Sequence, residues 1–132
     1  MDIFNLKYNK NEFLYLGFFN SSTDEEFYSI HRELVNLQKT SKIKHRLLVN
    51  TVGIGVLSLS RQKMITDELI PLMSEQAGRQ MHVALVTGDD VFASFATKNI
   101  GQKLKKTSKV KLFNKETEAE SWLLGLEEVQ TT

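Results

Sequence analysis

Cysteine is absent from this 132-residue chain, which excludes disulfides, thiolate metal ligands and a thiol nucleophile. A chain without cysteine suits a reducing compartment, so we expect a cytoplasmic protein. The first residues lack the basic start and apolar run of a secretion signal, and none is expected. No apolar run approaches the roughly 20 residues that a membrane-spanning helix needs, so we expect no transmembrane segment.

Charge of one sign is also lacking, because 17 lysines and arginines balance 16 aspartates and glutamates to leave a net charge of +1. Such a balance gives no overall field that would attract nucleic acid. Lysines do gather between residues 103 and 111, but Phe113 is the only aromatic residue beside them. We interpret these lysines as a solvated face rather than a nucleic-acid interface, with an anionic lipid surface as the alternative.

The chain is 41% hydrophobic and 25% charged, which is the composition of an ordinary globular domain, and we expect a single domain over residues 1–132. Apolar runs predict strands at 3–8, 12–19, 46–52, 81–87 and 109–113. The first two flank a short polar turn and should form an antiparallel hairpin. Helical patterns alternate with the later strands. This order predicts an α/β fold with a mostly parallel five-stranded sheet and four or five helices.

The second helix, predicted over 61–77, contains Pro71, which is the only proline in the chain. Because proline lacks an N–H, we expect a kink there or two consecutive short helices. Gly78 should end this helix, and Asn114 is predicted to cap the last helix of the chain. The packed face of the second helix is predicted to contain Met64, Leu69, Leu72 and Met73.

Alternation along the strands separates two faces of the predicted sheet. Asn50, His82 and Lys111 make one face mixed, whereas the other is apolar. Right-handed crossovers place the connecting helices on one face, so the mixed face should be half covered. A partner, a second copy or the helix after Pro71 would cover the rest. The predicted core consists of Leu47, Val49, Val83, Leu85, Phe95, Leu112 and Trp122.

A loop with two glycines, Gly53 and Gly55, leads from the third strand into a helix that begins at Ser58 or Ser60. A dinucleotide fingerprint has a third glycine where Ser58 stands and a later acidic residue that is missing here, so no cofactor is expected. Free N–H groups at a helix start favour an anion. The alternative, which we favour, is that a serine only caps the helix. The candidate switch or anion loop consists of Ser58, Ser60, Arg61 and Lys63.

Residues of the types that carry catalysis or bind metals are scattered. His31, His45 and His82 lie on different elements without ligand spacing. The pair Asp89-Asp90 is placed as the start of a helix, with an aspartate as its N-cap. We therefore expect no catalytic residue, no metal site and no enzymatic activity.

Four segments occur in a characteristic order along nearly the whole chain. They are Gly17 before SSTDEEF, the strand LLVN, the strand HVALVT followed by Gly88-Asp89, and the ending KLFNKETEAESWL. In this order they resemble the STAS-like family, which has the fold of the anti-sigma-factor antagonists, and within it the stand-alone bacterial domains linked to the CRAL-TRIO lipid-binding fold. The resemblance implies a sheet wound largely in sequence, non-enzymatic regulation and self-association.

The antagonist branch of that family also implies a switch. There, a serine just after the third strand is phosphorylated to release a partner. The matching stretch here is Leu57-Ser58-Leu59-Ser60-Arg61, which lacks the acidic residue before the serines and the glycine after them. The resemblance therefore implies only the position of a switch serine, and Ser60 is the first candidate for this serine and Ser58 the second.

The predicted function is that of a regulatory or interaction domain acting by protein binding or self-association, as a homodimer or with a regulatory partner. Apolar hairpin residues, among them Phe13 and Tyr15, are expected to be exposed and would favour a dimer. The alternative is a binder of a small apolar ligand or lipid in a pocket between sheet and helices. That pocket would be lined by Met64, Met73, Phe92 and Phe95.

Overall fold

The computed structural model describes residues 4–8, 13–18, 23–41, 43–50, 58–87 and 91–125, and of residues 4–8, 17, 18, 24, 26 and 91–97 the backbone alone. The strands are β1 (Phe4–Tyr8), β2 (Leu14–Phe18), β3 (Arg46–Asn50), β4 (His82–Val86) and β5 (Lys109–Phe113). The helices are α1 (Asp24–Thr40), α2 (Leu59–Lys63), α3 (Ile70–Ala77), α4 (Val91–Leu104) and α5 (Glu116–Leu124). A π-helical turn, Met64–Leu69, joins α2 to α3.

The sheet follows the order of the chain, β1-β2-β3-β4-β5. The four strands β2 to β5 are parallel, and β1 lies antiparallel to β2 at one edge. The prediction of an α/β fold is thus confirmed, as is the antiparallel pairing of the first two strands. β4 is buried from Val83 to Val86, as its continuous apolar run predicts for a central parallel strand.

One face of the sheet is covered by α1, α3 and α4, which belong to the connections between the parallel strands. Leu47, Val49, Val83 and Leu85 point to this face and pack in one cluster with side chains from all three helices. These four predicted core residues are confirmed, because none is more than 2% exposed. Leu112 packs against the same cluster but is only partly buried, and the Phe95 side chain lies outside the described residues.

The helix α5 packs on the opposite face, where Lys111 stays exposed and Asn50 and His82 are partly buried, so this face is covered in part, as predicted. Ala119 and Leu123 of α5 are fully buried against Leu48, Ala84 and Val86. The helix after Pro71 does not contribute, since it packs on the other face. A helix that follows the last strand is not a crossover, so the handedness rule could not place it.

The hairpin aromatics are also placed differently from the prediction. Phe13 is fully buried and Tyr15 is 3% exposed, because both lie under α5 in the second cluster. Trp122, predicted to be in the core, is half-buried at the border of this cluster. The side chains of β1 lie outside the described residues. The expected exposed aromatic patch is therefore wrong for Phe13 and Tyr15.

The helix from Leu59 to Ala77 is continuous, and the irregularity at Pro71 takes the form of the π-helical turn directly before it. Pro71 is the second residue of α3, so its missing N–H falls directly after the π-helical turn, where the regular hydrogen-bond ladder is already interrupted. A π-helical turn inserts an extra residue and shifts the packed face. Ile65 and Ile70 are therefore buried, whereas Leu72, predicted to be packed, is 44% exposed.

The ends of two helices test the predicted caps. Gly78 ends α3 in the left-handed conformation at φ 70°, as predicted. The prediction that Asn114 caps α5 is wrong, because Lys115 occupies the N-cap position without a side-chain hydrogen bond. Residues 51–57, with Gly53 and Gly55, and the predicted turns at 9–11 and 88–90 lie outside the described residues.

Candidate functional site

Ser58 and Ser60 stand at the start of α2, and their hydroxyl groups are neighbours. The Ser58 Oγ accepts a hydrogen bond of 3.2 Å from the backbone N–H of Arg61, so Ser58 is the N-cap. The Ser60 Oγ lies 3.2 Å from the Ser58 Oγ, and both residues are exposed. Of the two possible helix starts, the structure selects Ser58.

The side chains of Arg61 and Lys63 extend in different directions from the start of α2. The Arg61 guanidinium lies 4.8 Å from the centre of the Phe27 ring, so it joins α2 to α1 through a cation–π contact. Lys63 instead borders a cleft next to α4. The Arg61 and Lys63 side chains therefore do not converge on one anion with the serines, although the Ser58 Oγ is hydrogen-bonded to the Arg61 backbone N–H and neighbours the Ser60 Oγ.

The cleft between α2 and α4, called the lysine cleft below, has a volume of about 320 Å³. It is lined by Leu59, Gln62, Lys63, Asn99, Gln102, Lys103 and Lys106. None of the described residues that line it is acidic, so its three lysines repel one another and favour an anionic occupant. Leu59 at its end is 71% exposed, which is the largest exposure among the large apolar side chains described.

A second cleft lies between α1 and the π-helical turn, and it is called the His31 groove below. Its volume is about 260 Å³, and Val35, Met64, Leu69 and Leu72 form its apolar lining. Arg32, Asn36 and Glu68 supply polar groups, and His31 lies in its wall. His31 is 1% exposed, and its Nε2 has no hydrogen-bond partner among the described residues.

A polar cluster that the sequence analysis missed lies where β2 and β3 meet α5. The Tyr15 hydroxyl donates a short hydrogen bond to the Glu116 carboxylate, and the Asn50 amide donates to the same oxygen at 2.6 Å. Burial, and then the hydrogen bond to Glu116, raise the pKa of Tyr15 to about 12. The cluster fixes the start of α5 over the sheet.

Two of the three histidines meet at the opposite end of the sheet. The rings of His45 and His82 are 5.6 Å apart at 74°. Burial, and then the positive charges of Arg79 and Arg46, lower the pKa of His45 to about 4. Burial and the charge of Lys109 also lower the pKa of His82. Both rings are therefore neutral at pH 7.

In the described part of the chain, no group of three or more His, Cys, Asp or Glu side chains is arranged to hold a metal ion. No helix in the described ranges is long and apolar enough to cross a membrane.

No protein-family model matches the chain, and neither a curated protein nor a solved structure is significantly similar to it. The described fold and surfaces define a class: an α/β domain with a sequentially wound sheet and with clefts in its helical layer, among them the lysine cleft and the His31 groove.

Proposed function

We propose that the chain is a cytoplasmic, STAS-like interaction domain that regulates by binding a protein partner rather than by catalysis. The sheet order is the one that the resemblance to the STAS-like family implies, and this supports the proposal. The observation that carries it is the lysine cleft with Leu59 exposed at its end. An exposed apolar side chain beside a basic cleft is the arrangement that protein interfaces use for an anchor and its polar surroundings.

The chemistry of the cleft selects the partner. Lys63, Lys103 and Lys106 favour carboxylates, and Leu59 favours an apolar side chain. The occupant we propose is an acidic protein segment with at least one apolar residue. Gln62, Asn99 and Gln102 add amide groups that donate and accept hydrogen bonds along the same cleft.

A phosphate on Ser60 would regulate this binding. Ser60 is exposed and lies three residues before Lys63, so the two side chains are neighbours on the helix surface. A phosphate carries a charge of about −1.5 to −2 at pH 7. Placed there, it would pair with Lys63 and repel an acidic partner, which is the direction of the switch in the antagonist branch.

The test is a selection of peptides from a random displayed library on the immobilised protein. We expect enrichment of segments that combine Asp or Glu with an apolar residue. Lys63→Glu and Lys106→Glu should each weaken the enriched peptide at least about tenfold. Lys39→Glu, which reverses an exposed lysine on α1 away from the cleft, should leave binding unchanged. Ser60→Glu should weaken binding, and Ser60→Ala should not.

The same experiment can also contradict the proposal. If no acidic sequence is enriched, or if Lys63→Glu and Lys39→Glu reduce peptide binding equally, the lysine cleft is not a docking site. If Ser60→Glu binds as Ser60→Ala does, the cleft can still bind but Ser60 does not control it. Circular dichroism of each variant separates lost binding from lost folding.

Self-association is the second part of the proposal, and the sheet edges support it. β5 carries Lys109 and Lys111 exposed, and lysines on an edge strand discourage pairing. β1 forms the other edge of the described sheet. We propose that two copies pair through β1. Light scattering at high micromolar concentration should give the mass of a dimer, and a monomer mass would rule the pairing out.

An apolar ligand is the alternative function, and the His31 groove favours it. Met64, one of the predicted pocket residues, lines this groove. Met73 does not, because it is fully buried in the core between helices and sheet. The side chains of Phe92 and Phe95 lie outside the described residues. A ligand that co-purifies and is seen by native mass spectrometry would support this alternative.

A further inference from the structure

The hydrogen-bonding state of His31 follows from its surroundings. Its Nδ1 lies 2.6 Å from the backbone carbonyl oxygen of Phe27, one turn earlier in α1. A carbonyl oxygen only accepts, so the proton is on Nδ1. Burial, and then the charge of Arg61, lower the pKa of His31, so the ring is neutral at pH 7. Its Nε2 is therefore a hydrogen-bond acceptor.

This acceptor is unpaired in the described structure even though the ring is 1% exposed. A buried polar atom without a partner costs free energy, and such atoms are rare in folded proteins. Because Nδ1 is turned to the α1 backbone, Nε2 is on the far side of the ring from that backbone. His31 is part of the wall of the groove, so a molecule that reaches Nε2 from the groove would supply the missing donor.

The groove has the size and lining of a small-molecule site. It is open to solvent, and its volume of about 260 Å³ leaves room for a molecule of the size of a phenol. Met64 borders it with an unbranched, flexible side chain that adapts to a guest. The wall opposite α1 is a π-helical turn, an irregularity that is frequent at functional sites.

We propose that the His31 groove binds a small, largely apolar molecule with one hydrogen-bond donor, such as a phenol or an alcohol, which donates to the Nε2 of His31. The apolar body lies against Val35, Met64, Leu69 and Leu72. This site is separate from the lysine cleft, so the proposal stands whether or not an acidic peptide binds there.

The test compares three probes of nearly the same shape on the whole protein. 4-Methylphenol carries a donor, 4-methylanisole replaces it with an acceptor only, and toluene has neither. Binding is measured by ¹⁵N–¹H NMR titration together with the ¹⁵N shift of His31 Nε2. We expect 4-methylphenol to bind at least about tenfold more tightly than either analogue and to move the Nε2 signal.

Two tryptophan variants locate the site without touching the buried histidine. Leu72→Trp fills the groove from its exposed edge and should abolish binding of 4-methylphenol. Leu124→Trp is the matched control, because Leu124 is 42% exposed against 44% for Leu72 and is not among the groove residues. It should bind as the wild type does.

Three results would overturn the proposal. The first is absence of binding up to the solubility limit of 4-methylphenol. The second is equal affinity for 4-methylphenol and 4-methylanisole, which would mean that Nε2 is satisfied otherwise, for instance by a bound water. The third is binding that Leu72→Trp does not change, which would place the probe elsewhere.

Discussion

Ser58 and Ser60 provide a sharp test of how the candidate loop is built, because they are two residues apart and both exposed. Ser58→Ala removes a side-chain acceptor of the Arg61 backbone N–H. Ser60→Ala removes a hydroxyl whose described contact is the Ser58 Oγ at 3.2 Å. The two variants have the same chemistry and differ only in whether the lost oxygen caps the helix.

The size of the expected difference follows from the position of each serine. Loss of an N-cap hydroxyl costs about 0.5–2 kcal/mol. The site is exposed, so water replaces part of the bond, and we expect about 0.5–1 kcal/mol for Ser58→Ala. Ser60 is in the first turn of the helix but is not its cap, and alanine is the better helix former by a few tenths of a kcal/mol. Ser60→Ala should therefore be neutral or slightly stabilising.

Urea unfolding followed by the fluorescence of Trp122, the only tryptophan, measures both free energies of unfolding. Ser58→Asp is the rescue variant, because aspartate keeps the cap and adds a favourable charge at the helix start. Equal destabilisation by Ser58→Ala and Ser60→Ala would refute the assignment of Ser58 as the cap. If the structure is right, Ser60 can be changed without loss of stability, which makes it the clean position for testing a switch.

Three further predictions concern the core and the titrating groups. Leu85→Ala should lower the free energy of unfolding in urea by about 2–5 kcal/mol, and a change below about half a kcal/mol would show that β4 is not central. Tyr15→Phe should cost about 1.5–3 kcal/mol at pH 7, since it removes a hydrogen bond to a carboxylate. The wild type should lose stability as pH rises from 10 to 12, because in this range the folded protein keeps the proton of the Tyr15 hydroxyl whereas the unfolded chain releases it. Tyr15→Phe should abolish this pH-dependent loss. Burial lowers the pKa of His45 to about 4 in the folded protein, against about 6.5 in the unfolded chain, so stability should fall as pH drops from 6.5 to 4, and His45→Gln should flatten that slope.

Sequence patterns predicted burial and helix ends correctly where these depend on a single helix or strand. Phe27, Ile30 and Leu34 recur at helical spacing along α1, and all three are buried, as this spacing indicates. The apolar run of β4 marks a strand covered on both faces. Gly78 ends α3 because a left-handed residue is needed there. Each of these depends on residues that are close in sequence.

Interactions between distant segments were not predictable in the same way. Tyr15 and Glu116 are 101 residues apart, and the sequence around either residue does not indicate that the two are hydrogen-bonded. The lysine cleft combines Lys63 with Lys103 and Lys106, which the sequence grouped with lysines of β5. The burial of Leu72 was predicted wrongly because the hydrophobic pattern assumes 3.6 residues per turn, and the π-helical turn breaks that repeat.

The order of the sheet also explains why both clefts lie among helices. Doubly wound sheets bind ligands where the strand order reverses, and a sheet in the order β1-β2-β3-β4-β5 has no such reversal among its parallel strands. The α2–α3 helix instead separates two clefts, with Lys63 bordering one and Met64 the other. Lys63 and Met64 are thus adjacent in sequence but border different proposed sites, and variants can test the two sites separately. Lys63→Glu should lose the acidic peptide and keep 4-methylphenol, whereas Leu72→Trp should do the reverse. If each variant lost both ligands while its circular dichroism remained native, the two clefts would be one site and their separate assignment would be wrong.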